Sequence, residues 1–477
     1  MEKTSSTNTT TIKNTKELTI TFCGGVGSVT GANFLLQGPD KENVYRNILV
    51  DCGMEQGSHD ADESNRKSFI YNPAEMELLL ITHAHMDHIG RIPKLVRDGF
   101  NGTIYSSPET QKLAVIMLED CLKIITQEAE RQKIDPLFES KDVTKAISLW
   151  KSIPYHTKTE LYPGYSVYLK DAGHVLGSTM FEITYSGPAT EAPRKLVFTG
   201  DLGNSPTPLL RDTEDITDAD YLVMESVYGD RNHEDREHRL DKFEDVIQET
   251  AKIGGTLIIP IFSLEKSQEM IYELNNLVEE HRVPPMPVYL DSPLAIKITE
   301  VYKQMIDDFN ATAQEKAKHD DLFKFKNLHF VNTSEESKAI KDVPSPKIIM
   351  AGSGMSNGGR VLHHELNYLS DPKTILLLVG YQAVGTLGRH IQDGASVVTI
   401  HGVEVTVNAQ IRHIDGYSSH KDSDHLVEFV EKTADTLKKA FVVMGETKSS
   451  MFLVQRLRDY LGVEAHHPEE GEVAVIK

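Results

Sequence analysis

The stretch ITHAHMDHIG (81–90) places His83, His85, Asp87 and His88 directly behind the apolar run LLLIT (78–82). A short apolar run that stops at a polar cluster reads as a buried strand entering a loop, and the spacing of Ile89, Ile92, Leu95 and Val96 beyond it predicts a helix. Crowded at a strand end, such groups would each need a hydrogen-bond partner of their own. A metal ion satisfies them together. Imidazole and carboxylate without a nearby thiolate suit a zinc hydrolytic centre, with manganese or iron as alternatives.

One loop cannot complete the shells of two metals, so further donors are expected at other strand ends. DAGHVLGS (171–178) offers His174, and VFTGDLG (197–203) offers Asp201, whose carboxylate can bridge two ions. Asp51 in LVDCG has a similar placement and is read as a supporting group that orients a histidine.

Strands are expected at LTITFCGG (18–25), ANFLLQG (32–38) and NILVDCG (47–53), a mostly helical stretch at 108–152, and strands again up to YLVMES (221–226). After about Asp230 strands and helices alternate (TLIIPIF, PVYLDS, PKIIMAG, TILLLVG), which is the pattern of a parallel α/β domain. The final part returns to the character of the first. The simplest organisation is one domain over 17–229 and 386–477, interrupted by a second over 230–385. Residues 1–16, rich in Thr, Ser, Asn and Lys, are expected to form a disordered leader.

Among 477 residues, 50 Lys and Arg oppose 71 Asp and Glu, a net charge of −21. Bulk attraction of polyanions is therefore excluded as a binding principle, and any nucleic acid would have to be held by a local cleft of Lys and Arg together with metal. The three cysteines form no CxxC pair, which argues against a disulfide framework and for a reducing, cytoplasmic setting. No apolar run reaches the ~20 residues of a membrane span, so no membrane partner is expected.

The loop 83–88 with the later His174 and Asp201 resembles the metallo-β-lactamase superfamily. ESVYGDR (225–231), GYQAVGTLGRHI (380–391) and DGYSSHKD (415–422) resemble the three motifs of its β-CASP nucleases, a family that includes RNase J, and the likeness extends over about residues 17–465. The resemblance implies an αββα sandwich with an inserted parallel α/β β-CASP domain and two zinc ions in the cleft between them. His83, His85 and His174 would hold one ion, Asp87, His88 and His420 the second, and Asp201 would bridge. By the same resemblance the protein is a ribonuclease, endo- or 5′-exo, often a homodimer. Its catalytic groups would be Asp87, Glu225 and His390, with Glu225 contacting His390 and favouring its charged, proton-donating form. In AGSGMSNGGRVLHH (351–364), the glycine-rich loop with Ser353, Gly354 and Arg360 is placed to meet a phosphate. A DNA nuclease of the same family and a non-nuclease metallohydrolase are the alternatives.

Overall fold

The computed structural model describes residues 17–57, 60–188, 190–233, 238–383 and 385–477; the leader expected at 1–16 lies outside them. The apolar runs around the histidine loop are buried on both faces, which is why they read as nearly continuous rather than alternating. In one seven-stranded sheet Phe34, Leu36, Ile48, Val50, Leu78 and Leu80 point into a core between two sheets. The intervening Leu35, Leu49 and Leu79 point the other way, onto helices Ile92–Arg97 and Pro108–Gln132.

The second seven-stranded sheet repeats the device. Phe181, Ile183, Leu196, Phe198, Val223 and Phe441 face the first sheet. Val197, Leu222, Met224, Ala440 and Val442 face helices Ser423–Glu431 and Thr447–Leu461. Two sheets, each with helices outside, make the four-layer sandwich expected from the sequence. In the shared core Phe198 is 1% exposed and its ring lies 6.1 Å from that of Phe34. Truncating so large a buried side chain leaves a cavity that rigid sheets cannot close. Phe198→Ala should therefore cost about 3–5 kcal/mol, read from denaturant unfolding.

The inserted domain carries a six-stranded, all-parallel sheet in the order Leu328–Phe330, Val288–Asp291, Lys347–Ala351, Thr256–Pro260, Ile375–Val379, Gln410–Ile414. Its last strand lies beyond the boundary expected at 385. Gln410–Ile414 pairs residue for residue with Ile375–Val379, and Val398, Ile400 and Val405 of the hairpin before it fill a core with Ile258, Leu376 and Val361. The parallel sheet thus takes its last strand from beyond 385. The alternation in this segment resembles that of the first domain's strands, but sheet membership is decided by pairing partner, and periodicity says nothing about that. From Ile414 the chain turns directly into the loop that holds His420.

Candidate metal centre

Four loops at one end of the sandwich bring the expected donors together. His85 is still extended (φ −68°, ψ 148°) where it caps the one-turn helix Met86–Ile89, so the chain turns sharply and aims Asp87 and His88 back at His83. His174 stands between strands Tyr165–Asp171 and Thr179–Tyr185, with its amide donating to Ser178 Oγ at 3.0 Å. Ser107 caps helix Pro108–Gln132 and also donates to the Gly177 carbonyl, as does Thr110, which pins the His174 loop from outside. Asp201 follows strand Arg194–Phe198 through Gly200 (φ +54°). Three sets of donors result: His83, His85, His174 and Asp201; Asp87, His88 and Asp201; Asp201, Glu225 and His420.

Asp201 is common to all three, and it divides its oxygens. Oδ2 lies 3.5 Å from His83 Nε2 and 3.6 Å from His174 Nε2, while Oδ1 lies 3.4 Å from His88 Nε2. His85 Nδ1 is 3.1 Å from His83 Nε2 and 3.2 Å from His174 Nε2. Donors about 2.0–2.1 Å from a tetrahedral zinc stand roughly 3.3–3.4 Å from one another, so this set has the spacing of a coordination shell. His88 Nε2 and Asp201 Oδ1 are buried without a hydrogen-bond partner. A cation would satisfy both. The residues therefore fit divalent metal binding, and Asp201 is the donor shared by all three sets.

The far nitrogens of the imidazoles are anchored separately. His88 Nδ1 donates to Asp51 Oδ2 at 2.8 Å and His174 Nδ1 to the Ser419 carbonyl at 3.2 Å. His83 Nδ1 lies 3.1 Å from Thr82 Oγ1, which itself donates to Asp51 Oδ2 at 2.8 Å. His420 Nδ1 meets Glu225 Oε1 at 3.1 Å. With Nδ1 carrying the proton, Nε2 is left as the inward lone pair in each case. Sequence reading found Asp51 but not Thr82 or Ser419. A threonine inside an apolar strand reads as an ordinary strand former, and a backbone carbonyl has no sequence signature.

Burial and the charge of neighbouring imidazoles hold His83 and His174 well below the ordinary histidine range, and burial holds His85 down to about 3. Neutral imidazole is the ligating form. Burial also opposes charge on His420, yet the Glu225 and Asp201 carboxylates push it up to about 9. Burial raises Glu225 itself.

Family models match in three blocks: a metallo-beta-lactamase superfamily domain at residues 41–191, a Beta-Casp domain at 267–391, and a Zn-dependent metallo-hydrolase RNA specificity domain at 404–468. Ribonuclease TTHA0252 of Thermus thermophilus is 36% identical over 410 residues, covering 86% of this chain and 89% of that protein. The chain belongs to the β-CASP nucleases of the metallo-β-lactamase superfamily. Transcription termination factor FttA of Methanosarcina mazei is 28% identical over 93% of this β-CASP chain and 69% of its own. A crystal structure of a protein of unknown function from Enterococcus faecalis V583 shares the fold, with a TM-score of 0.54 at 12% identity, covering 96% of this chain and 100% of that one.

Against the β-CASP expectations two placements differ. Glu225 does not reach His390; besides His420 it accepts from the Leu202 amide at 2.6 Å, so it positions a donor of the cluster rather than the middle histidine. His390 lies exposed on helix Leu387–Gln392, which follows the cleft residues Tyr381 and Ala383 in the chain. Arg360 is not available to a phosphate: it donates to Asp291 at 2.6 Å and to the carbonyls of Val331 and Asn332, while buried Asp291 also takes His364 at 2.7 Å. A basic residue beside a glycine loop reads as anion-binding until its buried acidic partner, about seventy positions away, is visible. Ser353 does line the cleft, whereas the Gly354 carbonyl takes a hydrogen bond from Gln382 at 3.0 Å.

The cleft is a cavity of about 620 Å³. Its walls are not basic. Met54, Met117, Ile124 and Phe262 contribute to them, with Glu55, Asp62, Asp120 and Glu128 against one cation among the described residues, Arg66. Behind the metal centre the two domains meet in a buried polar seam. Tyr302 donates to Glu265 and accepts from the Leu176 amide at 3.3 Å, Tyr417 donates to Glu273, and Lys266 pairs with Glu269. Burial pushes Glu265 up to about 8 and Glu273 to about 7.

Proposed function

We propose that this β-CASP protein hydrolyses RNA phosphodiester bonds, in processing or decay, with two zinc ions held by His83, His85, His174, Asp87, His88, His420 and the shared Asp201. The observation that carries the reading is Asp201, which offers one oxygen to each half of an otherwise complete donor set at the junction with the inserted domain. The relatives named for ribonuclease activity and termination, and the RNA specificity block over 404–468, support RNA as the polymer. Bound cations would supply Lewis acidity to offset phosphoryl charge and to make water acidic at neutral pH.

The chain's own groups do the rest. Asp51, Thr82 and Glu225 fix the tautomer and tilt of the imidazoles. Asp87, half-buried and standing among the donors, is placed to accept a proton from attacking water. His390 is the donor for the leaving oxygen, a task worth about 10²–10⁴-fold in rate.

Metal-loaded protein incubated with RNA labelled at the 5′ or the 3′ end gives the deciding result: mononucleotides from one end mean exonuclease action, and internal fragments mean endonuclease action. Cleavage of DNA with RNA left intact, or turnover of a generic phosphodiester alone, would overturn the reading. His390→Ala is expected to keep its metal content and lose RNA cleavage by about 10²-fold or more. Undiminished cleavage would remove His390 from the mechanism.

A further inference from the structure

An apolar, acidic cleft in a chain of net charge −21 leaves open what meets the phosphates of a bound strand. We infer that Arg231, whose guanidinium lies against the cleft residue Tyr381 and against Tyr228 next to His420, is the phosphate-binding residue that positions RNA. This rests on the ribonuclease reading and specifies how that site grips its substrate.

Arg231 is held from several sides, yet among the described residues two of its donors stay open. Its guanidinium lies over the Tyr228 ring at 4.7 Å and the Tyr381 ring at 5.6 Å; the first ring belongs to the sandwich domain and the second to the insertion. Tyr381 lines the cleft and donates its hydroxyl to Glu446 at 3.1 Å, while buried Tyr228 lies 6.3 Å from the His420 ring. The Arg231 carbonyl accepts from the Ser423 amide at 3.1 Å, so its backbone is tied to the loop that carries His420. Its side chain is nevertheless 44% exposed.

Nη1 donates to Asp230 at 2.8 Å, and the same carboxylate takes exposed Lys448 at 3.2 Å, so two cations share one anion. Among the described residues Nε and Nη2 of Arg231 have no acceptor, which leaves two adjacent donors in the geometry that matches phosphate oxygens. A planar cation fixed over aromatic faces loses little entropy on binding. Arg360, the cation the motif pointed to, is spent on Asp291, whereas Arg231 keeps Nε and Nη2 open among the described residues.

The test is steady-state cleavage of a labelled single-stranded oligoribonucleotide by metal-loaded enzyme over a series of KCl concentrations. Arg231→Gln should raise KM by about 10-fold, more than it lowers kcat, the loss of one charged hydrogen-bond contact. It should also flatten log KM against log salt by about 0.7, the loss of one phosphate contact to a single strand. A merely structural role would not move that slope. Arg231→Lys keeps the charge but not the flat fork, and should restore the slope while KM stays raised. Wild-type slope and KM in Arg231→Gln, or a slope in Arg231→Lys as flat as in Arg231→Gln, would overturn the assignment while leaving the ribonuclease reading standing. Failure of the wild-type enzyme to cleave RNA removes both.

Discussion

Asp201→Ala should abolish RNA hydrolysis and leave the protein unable to retain its full complement of divalent cations. Asp201 is 3% exposed and is the only residue common to all three donor sets. Its two oxygens face His83 and His174 on one side and His88 on the other. Without it, the set of His83, His85 and His174 is left with no carboxylate among its donors, and the other two sets lose one at the same time. Groups that only orient a ligand typically cost about 10- to 100-fold in metal affinity or activity. A shared ligand should exceed that range in both. Metal analysis of the purified variant beside its cleavage rate checks this, and two tightly held ions in Asp201→Ala would refute the bridging role.

Gly53→Ala should have a comparable effect without touching a ligand. A Cβ at Gly53 would stand 1.5 Å from the Asp87 carbonyl oxygen, 2.1 Å from its carbon and 2.8 Å from the His88 nitrogen, all backbone atoms. Neither side can yield. The Gly53 amide donates to Ala32, Cys52 to the His88 carbonyl and Met54 to the Met86 carbonyl, which lace the two segments together. The added methyl has to drive Met86–Ile89 out of register and carry Asp87 and His88 away from Asp201. Overpacking of this kind costs about 1–3 kcal/mol or more, and the loss should show as lowered thermal stability together with weakened metal retention. Gly358→Ala, where nothing lies within 4 Å of the added carbon, is the stability control. Normal metal content in Gly53→Ala would mean that the 86–89 turn can shift without losing its ligands.

Much of this centre is legible in the sequence because metal chemistry restricts residue type. Histidine and aspartate at the ends of apolar runs have few other uses, and His83, His85, Asp87, His88, His174 and Asp201 stand together in the structure as their positions suggest. What depends on tertiary pairing was not legible. Glu225 lies 165 positions from His390 and 195 from His420, and nothing in either spacing says which imidazole it meets; the structure gives it His420. Arg360 has a glycine loop beside it in sequence but Asp291 beside it in space. The strand at 410–414 has the same alternation as strands of the sandwich and pairs instead with Ile375–Val379. Arg231 lies inside a recognised motif, yet its use follows from two tyrosines brought to it from different domains.

The seam behind the metal centre bears on how the two domains keep their alignment. An apolar contact slides by a fraction of an ångström at little cost, because any neighbouring methyl serves as well as the last. Carboxyl groups buried at Glu265 and Glu273 cannot slide in that way, since each has one tyrosine hydroxyl to meet and a lost partner strands a polar group out of water. One of those tyrosines also takes the Leu176 amide, two residues beyond His174, and the other lies three residues before His420. The seam therefore acts as a jig: when the inserted domain seats on the sandwich, the same contacts that index one body against the other set the two loops from which His174 and His420 project.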